Sequence, residues 1–129
     1  VVEWNKDVLG QLADHPLKDS RVTVFIEDVV NIINNNTSAF DAILLDVDNG
    51  PDCLTQKEND NLYSMSGLSM IHRALRPGGV VAVWSSSSDT GFTQRLKGSS
   101  FNVIEKKIRG RTHTKGPVHT IWIATKSYQ

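Results

Sequence analysis

Short apolar runs alternate along this chain with stretches in which apolar residues recur every three or four positions. The runs at 1–4, 22–26, 40–46 and 80–84 predict buried strands, and in the last two runs four or five consecutive apolar residues leave no polar face for solvent. The clearest helical spacing follows the third run, at Leu62, Met65, Leu68, Ile71 and Leu75. Strands alternating with helices predict an α/β fold with a mostly parallel sheet covered on both faces.

The last third of the chain has a different pattern. Residues 101–109 and 119–126 alternate apolar and polar side chains, which predicts an antiparallel hairpin at the end of the sheet. We therefore expect about six strands in a single domain, residues 1–129. Because the chain starts without methionine, directly in a predicted strand, we also expect it to be an N-terminally truncated piece of a longer protein.

Composition narrows the class of protein. The 14 basic and 14 acidic residues cancel, which argues against a general nucleic-acid or anionic-membrane binder. The lone cysteine, Cys53, excludes an intramolecular disulfide, and no apolar run approaches the ~18 residues of a membrane span. We expect a soluble cytoplasmic protein.

Three predicted strands are closed or followed by an acid: Glu3, Asp28 and Asp46. Ligands of open α/β sheets sit at the carboxyl ends of strands, where a carboxylate can accept hydrogen bonds from a ribose or from an adenine amino group. The alternative is structural. Asp28 can be a helix N-cap and Glu3 a solvated strand end.

Several common site motifs are missing from the sequence. No glycine-rich phosphate loop follows a strand, because Pro77-Gly78-Gly79 precedes one instead. His113 and His119 have no Cys or His partner at ligand spacing, so no metal site is predicted. Trp84 and Trp122 are predicted to be core residues.

The order of these segments resembles the Rossmann-like S-adenosylmethionine-dependent transferases, and within them the spermidine-synthase-like family. The matching segments are Val1-Val2-Glu3-Trp4, residues 21–28, Phe40 to Asp46 with Asp48, Asn49, Gly50 and Pro51, Leu62-Tyr63, and Leu75-Arg76-Pro77-Gly78-Gly79-Val80. The family's first strand and its glycine-rich loop have no counterpart in this sequence.

The resemblance implies a nucleotide site. Glu3 would bind the ribose hydroxyls, Asp28 the adenine amino group, and Val29 would contribute a backbone amide. The donor would be S-adenosylmethionine or its decarboxylated form, used as a substrate, and no metal is implied.

The resemblance also implies an acceptor site. Asp46 would lie beside the sulfonium and help to deprotonate the attacking amine, which is needed because an alkyl amine with a pKa of ~10 is almost fully protonated at neutral pH. Asp48, Asn49 and Tyr63 would bind the substrate. The family's aminopropyltransferases have an acid three residues after the catalytic one, whereas this chain has Asn49 there and an acid at Asp48.

The first functional hypothesis is therefore a transferase core that moves an aminopropyl or methyl group to a small amine. The alternatives are a generic small-molecule methyltransferase and a non-catalytic remnant acting through self-association. The family's first strand lies between the strand ending at Glu3 and the strand ending at Asp46. Without it, either the remaining strands close up or a further segment or second copy fills the gap, and we expect a homo-oligomer formed through this sheet edge.

Overall fold

A computed structural model describes residues 2–46, 61–110 and 116–128. The helices are α1 (Val2–Lys6), α2 (Val29–Asn34), α3 (Met65–Ala74) and α4 (Thr90–Gly98), with short 3-10 turns at Gln11–Ala13 and Pro16–Lys18. The strands are β1 (Phe40–Leu45), β2 (Leu75–Ser85), β3 (Phe101–Arg109) and β4 (Val118–Lys126).

The four described strands form one mixed sheet in the order β1-β2-β4-β3. β1 and β2 are parallel, whereas β2 with β4 and β3 with β4 are antiparallel. The predicted α/β class and terminal hairpin are confirmed. The described sheet has four strands instead of about six, and one of its three strand pairs is parallel.

The first two predicted strands are where the sequence interpretation was wrong. Residues 2–6 form a helix, and residues 22–26 form no strand. A strand needs a neighbour for its backbone N–H and C=O groups. β1 is an edge strand of the described sheet, and neither segment pairs with it, so the remaining strands have not closed up.

A single apolar core lies between the sheet and α2, α3 and α4. Helical residues such as Leu68, Phe92 and Leu96 are buried against Val83 and Trp122 of the sheet. The predicted core position of Trp122 is confirmed, and its indole N–H donates to the Thr93 hydroxyl at 2.8 Å. The core therefore fixes α3 and α4 to β2 and β4, which positions the end of the sheet described next.

Candidate functional site

The carboxyl ends of the two parallel strands lie at the same edge of the sheet. Leu45 is paired in register with Val83, so Asp46, one residue later, lies level with Trp84. Asp46 is exposed, and Ser85 at the end of β2 is buried. A carboxylate open to solvent beside parallel strand ends occupies the usual ligand position of an open α/β sheet.

Tyr63 is a second buried side chain with a polar group, besides Ser85. Its side chain is 3% exposed, and its ring meets the Phe92 ring edge-on with the centroids 5.4 Å apart. The phenolic hydroxyl has no hydrogen-bond partner among the described residues. A buried hydroxyl without a partner costs free energy, so this atom has a hydrogen-bonding capacity that the described residues leave unused.

The charge of Asp46 affects the pKa of Tyr63. Burial chiefly, and the negative charge of Asp46 secondarily, raise the pKa of Tyr63 to about 12. Both effects disfavour the phenolate, so the hydroxyl keeps its proton at neutral pH. The structure thus brings together two of the predicted site residues, an exposed carboxylate and a buried neutral hydroxyl.

The first turns of α4 hold Tyr63 in place. Asp89 is the N-cap of α4, accepting from the Phe92 N–H at 2.9 Å, and its carboxylate lies 3.5 Å from the Arg95 guanidinium. Arg95 in turn donates through Nε to the Tyr63 carbonyl at 3.1 Å. The sequence analysis missed this support. Asp89, directly before residues 90–98, is a residue type that favours a helix N-cap, but Arg95 contacts a residue 32 positions away, which no local pattern indicates.

Glu3 does not end a strand. It lies in the first turn of α1, where its exposed carboxylate forms an ion pair with Lys6 at 3.0 Å. The prediction of Glu3 as a strand-end acid was therefore wrong. A short segment without a strand partner makes its hydrogen bonds locally, and an acid near a helix N-terminus followed by a base three residues later favours the helix.

Asp28 caps α2. Its carboxylate accepts from the Val30 N–H at 2.8 Å, so the structural alternative, a helix N-cap, is confirmed. Val29 begins the helix and packs against the core. No hydrogen bond or ion pair within the described segments joins Glu3 or Asp28 to Asp46 or Tyr63. The ligand roles implied for Glu3, Asp28 and Val29 remain predictions.

Asp48 and Asn49, the other two predicted substrate-binding residues, lie outside the described residues. Within the ranges that the structure covers, no cluster of three or more His, Cys, Asp or Glu side chains could hold a metal ion. None of the described helices has both the length and the apolar composition required to cross a membrane.

A cleft of about 410 Å³ lies between α2 and α3. Val30, Asn34, Ser66, Met70 and Arg73 contribute to its walls, and neither Asp46 nor Tyr63 does. The Arg73 guanidinium in this cleft already donates to the Asn34 carbonyl and side chain at 2.9 and 2.8 Å. The cleft and the carboxyl edge of the sheet are therefore different places on the molecule.

Comparisons with known proteins agree on the fold. The family model of the spermine/spermidine synthase domain matches residues 1–108. A search of curated proteins finds no match. Among solved structures, the spermidine synthase of Thermotoga maritima is similar with a TM-score of 0.68 and 15% identity, over 99% of this chain and 41% of that one.

Two further structures are similar. A spermidine synthase in complex with the transition state analogue AdoDATO has a TM-score of 0.67 and 17% identity, over 99% of this chain and 42% of the other. A Burkholderia thailandensis 1,6-didemethyltoxoflavin-N1-methyltransferase, with bound 1,6-didemethyltoxoflavin and S-adenosylhomocysteine, has a TM-score of 0.61 and 19% identity, over 92% and 56%. These likenesses establish the Rossmann-like methyltransferase fold. The chain spans about two fifths of the length of the two synthases.

Proposed function

The chain belongs to the spermine/spermidine synthase family, and we propose that it is the core of a transferase that moves an alkyl group from an S-adenosyl sulfonium donor to a small amine. The transferred group is aminopropyl or methyl, from decarboxylated S-adenosylmethionine or S-adenosylmethionine respectively. The observation that carries this proposal is the exposed Asp46 carboxylate at the carboxyl edge of the parallel strands, whose charge contributes to the raised pKa of the buried Tyr63.

Asp46 is proposed as the general base. A protonated alkyl amine has no free electron pair and cannot attack, so an anionic group that attracts the ammonium and accepts its proton is needed. The amine nitrogen then forms a bond to the carbon beside the sulfonium, the carbon–sulfur bond breaks, and its electron pair stays on a neutral thioether. Asp46 retains the proton. Its exposure supports this role, because the acceptor must reach it from solvent.

Tyr63 is proposed to orient the acceptor chain. Its hydroxyl is neutral and has no hydrogen-bond partner among the described residues, and the charge of Asp46 contributes to its raised pKa. A hydrogen bond from the substrate would satisfy this group and hold the amine near the carboxylate, which favours reaction by positioning. The contacts of Arg95 and Phe92 fix the tyrosine before substrate arrives.

Family membership supports nucleotide-binding roles for Glu3, Asp28 and Val29, and acceptor-binding roles for Asp48 and Asn49. The exposed Glu3 carboxylate is accessible to a ribose, and a Glu3→Gln variant should then bind donor more weakly. Unchanged donor affinity in that variant would remove Glu3 from the site.

The test is calorimetric titration of the chain with decarboxylated S-adenosylmethionine, S-adenosylmethionine and methylthioadenosine. Tighter binding of the decarboxylated donor supports aminopropyl transfer, whereas a preference for S-adenosylmethionine supports methyl transfer. Absence of binding by folded protein would refute the transferase proposal and leave the non-catalytic remnant.

The turnover of two variants tests whether Asp46 is the general base. Asp46→Asn should keep donor affinity and abolish transfer. Asp41→Asn is the matched control, because Asp41 is an exposed acid on β1, the strand that Asp46 follows, and its carboxylate pairs with Arg76 at 2.6 Å. Equal turnover in the two variants would exclude Asp46 as the base.

A further inference from the structure

Trp84 lies at the edge of the sheet that carries the candidate site. It is partly exposed and does not belong to the apolar core that contains Trp122, so the prediction of Trp84 as a core residue was wrong. Val83, the residue before it on β2, pairs with Leu45 at the end of β1. Trp84 is therefore placed at the carboxyl edge of the parallel strands, where ligands of open α/β sheets bind.

Asp46 is the neighbour of Trp84 across the two parallel strands. It follows Leu45, so its backbone lies level with that of Trp84, one strand spacing of ~4.8 Å away. The Asp46 carboxylate is exposed and forms no ion pair with a described residue. An aromatic ring and an unpaired carboxylate side by side are suited to an organic ammonium ion, because the ring face and the carboxylate both attract positive charge.

His119 supports the Trp84 indole from the next strand. Ser85 pairs with Thr120, so His119 lies at the same edge of the sheet. Its imidazole is tilted by 31° from the indole, with the ring centroids 5.1 Å apart. On its other side the imidazole meets the hairpin backbone, since a Cβ on Gly110 would lie 3.1 Å from the His119 Nε2. The imidazole is thus confined between Gly110 and the indole, which fixes the orientation of the indole.

The charges along this edge have an order. Asp46 lies on one side of Trp84, at the end of β1. On the other side, Trp84 pairs with Ile121 and Ile121 with Lys106, so the described basic residue in this row is two strands away. A cation that approaches the edge is attracted to the Asp46 side of the indole and repelled from the Lys106 side.

We propose that the Trp84 indole, supported by His119, binds the ammonium group of the acceptor on its ring face beside the Asp46 carboxylate. This inference rests on the proposed transferase function and assigns the acceptor class, an aliphatic ammonium ion instead of a neutral or anionic molecule. The nitrogen is positively charged when the acceptor arrives and again after alkylation. The contact therefore strengthens acceptor binding, by roughly threefold to thirtyfold for a cation–π contact.

The test is a proton NMR titration of the chain with butylammonium, with neutral 1-butanol as the reference probe of similar size. The indole N–H signal of Trp84 reports the contact and is identified by its absence from a Trp84→Phe variant. We expect butylammonium to shift this signal to saturation and 1-butanol to leave it unchanged. Equal responses to the two probes, or no response to either, would overturn the proposal.

Trp84→Leu keeps an apolar side chain and removes the ring. It should weaken butylammonium binding about tenfold, as followed by the imidazole protons of His119. Trp84→Phe keeps a smaller ring and should weaken binding about threefold, which gives a second measurement if circular dichroism shows that Trp84→Leu folds poorly. Unchanged affinity in the folded variants would overturn the proposal.

Tyr128→Leu is the matched control. Tyr128 is an aromatic residue that is 87% exposed, and it follows β4 at the opposite end of the sheet, where Thr125 pairs with Val80 at the start of the β2 pairing. This variant should bind butylammonium like the parent chain. Equal weakening by Tyr128→Leu and Trp84→Leu would mean non-specific binding and would overturn the proposal.

Calorimetric titration of the same variants with the S-adenosyl donors separates this inference from the proposed function. Trp84→Leu should leave donor affinity unchanged. A chain that binds no donor but binds butylammonium through Trp84 would refute the transferase and retain the ammonium site. A chain that binds donor but binds butylammonium independently of Trp84 would retain the transferase and refute the ammonium site.

Discussion

Ionisation of Tyr63 should destabilise the folded chain at high pH. Its pKa rises from 10.0 in the unfolded chain to about 12 in the folded one, chiefly through burial and secondarily through Asp46. Because the folded pKa is the higher one, this contribution to stability is complete below pH 10 and is lost as the pH rises towards 12. The difference corresponds to about 3 kcal/mol at most.

The substitution Tyr63→Phe isolates this effect. At neutral pH it should leave the free energy of unfolding unchanged or raise it by about 1 kcal/mol, because the deleted hydroxyl has no described partner. Above pH 10 the variant should keep stability that the parent chain loses. Urea denaturation at neutral and alkaline pH measures both quantities.

Tyr128→Phe is the control, since Tyr128 is 87% exposed. This variant should lose stability with pH as the parent does. If the parent and Tyr63→Phe lose stability in parallel above pH 10, the burial argument for Tyr63 is refuted.

Asp46→Asn tests the second cause of the raised pKa of Tyr63, the negative charge of Asp46. Removing the negative charge should lower the pKa of Tyr63, by less than its burial raises it, as followed by the ultraviolet absorbance of the phenolate. An unchanged pKa would mean that Asp46 and Tyr63 are not neighbours. That result would remove the observation on which the proposed function depends.

Three further predictions concern the frame of the site. Asp89→Ala should lower the free energy of unfolding by about 1 kcal/mol in chemical denaturation, because the Phe92 N–H loses its hydrogen bond to the Asp89 carboxylate. An unchanged free energy of unfolding would show that water replaces this hydrogen bond. The pKa of His72 is lowered chiefly by burial and secondarily by the charge of Lys126, so Lys126→Met should raise it. A proton NMR titration of His72 measures this pKa, and an unchanged value would mean that burial alone causes the shift. In the parent, stability contributed by neutral His72 is lost as the pH falls through that lowered pKa. Leu68→Ala should cost about 3 kcal/mol because Leu68 is fully buried in the core, and a cost below about 1 kcal/mol would contradict the packing of α3.

Local patterns predicted the parts of the fold that carry their own signals. The spacing of apolar residues located α3, and the alternation of apolar and polar positions located the hairpin of β3 and β4. The acid before residues 29–34 was correctly weighed as a cap. These features depend on contacts within a few residues or between adjacent segments, so the sequence expresses them directly.

Part of the candidate site could also be predicted. Asp46 follows the apolar run of β1, and an acid in that place is visible in the sequence. That Tyr63 lies near Asp46 was implied only by the family resemblance, and its burial against Phe92 could not be read from spacing. The approach of the two groups depends on how α4 packs on the sheet.

The sequence by itself determined the alternation of helices and strands, the acid at the end of β1 and the family to which the chain belongs. Only the tertiary structure decided which apolar runs become strands. Residues 1–4 and 22–26 have strand-like composition, but a strand exists only where a neighbour completes its hydrogen bonds, and within the described residues neither segment pairs with the sheet. The tertiary structure also decided which apolar side chains are buried, because the pairing register aligns Leu44, Ala82, Ile123 and Ile104 on the face opposite the helices.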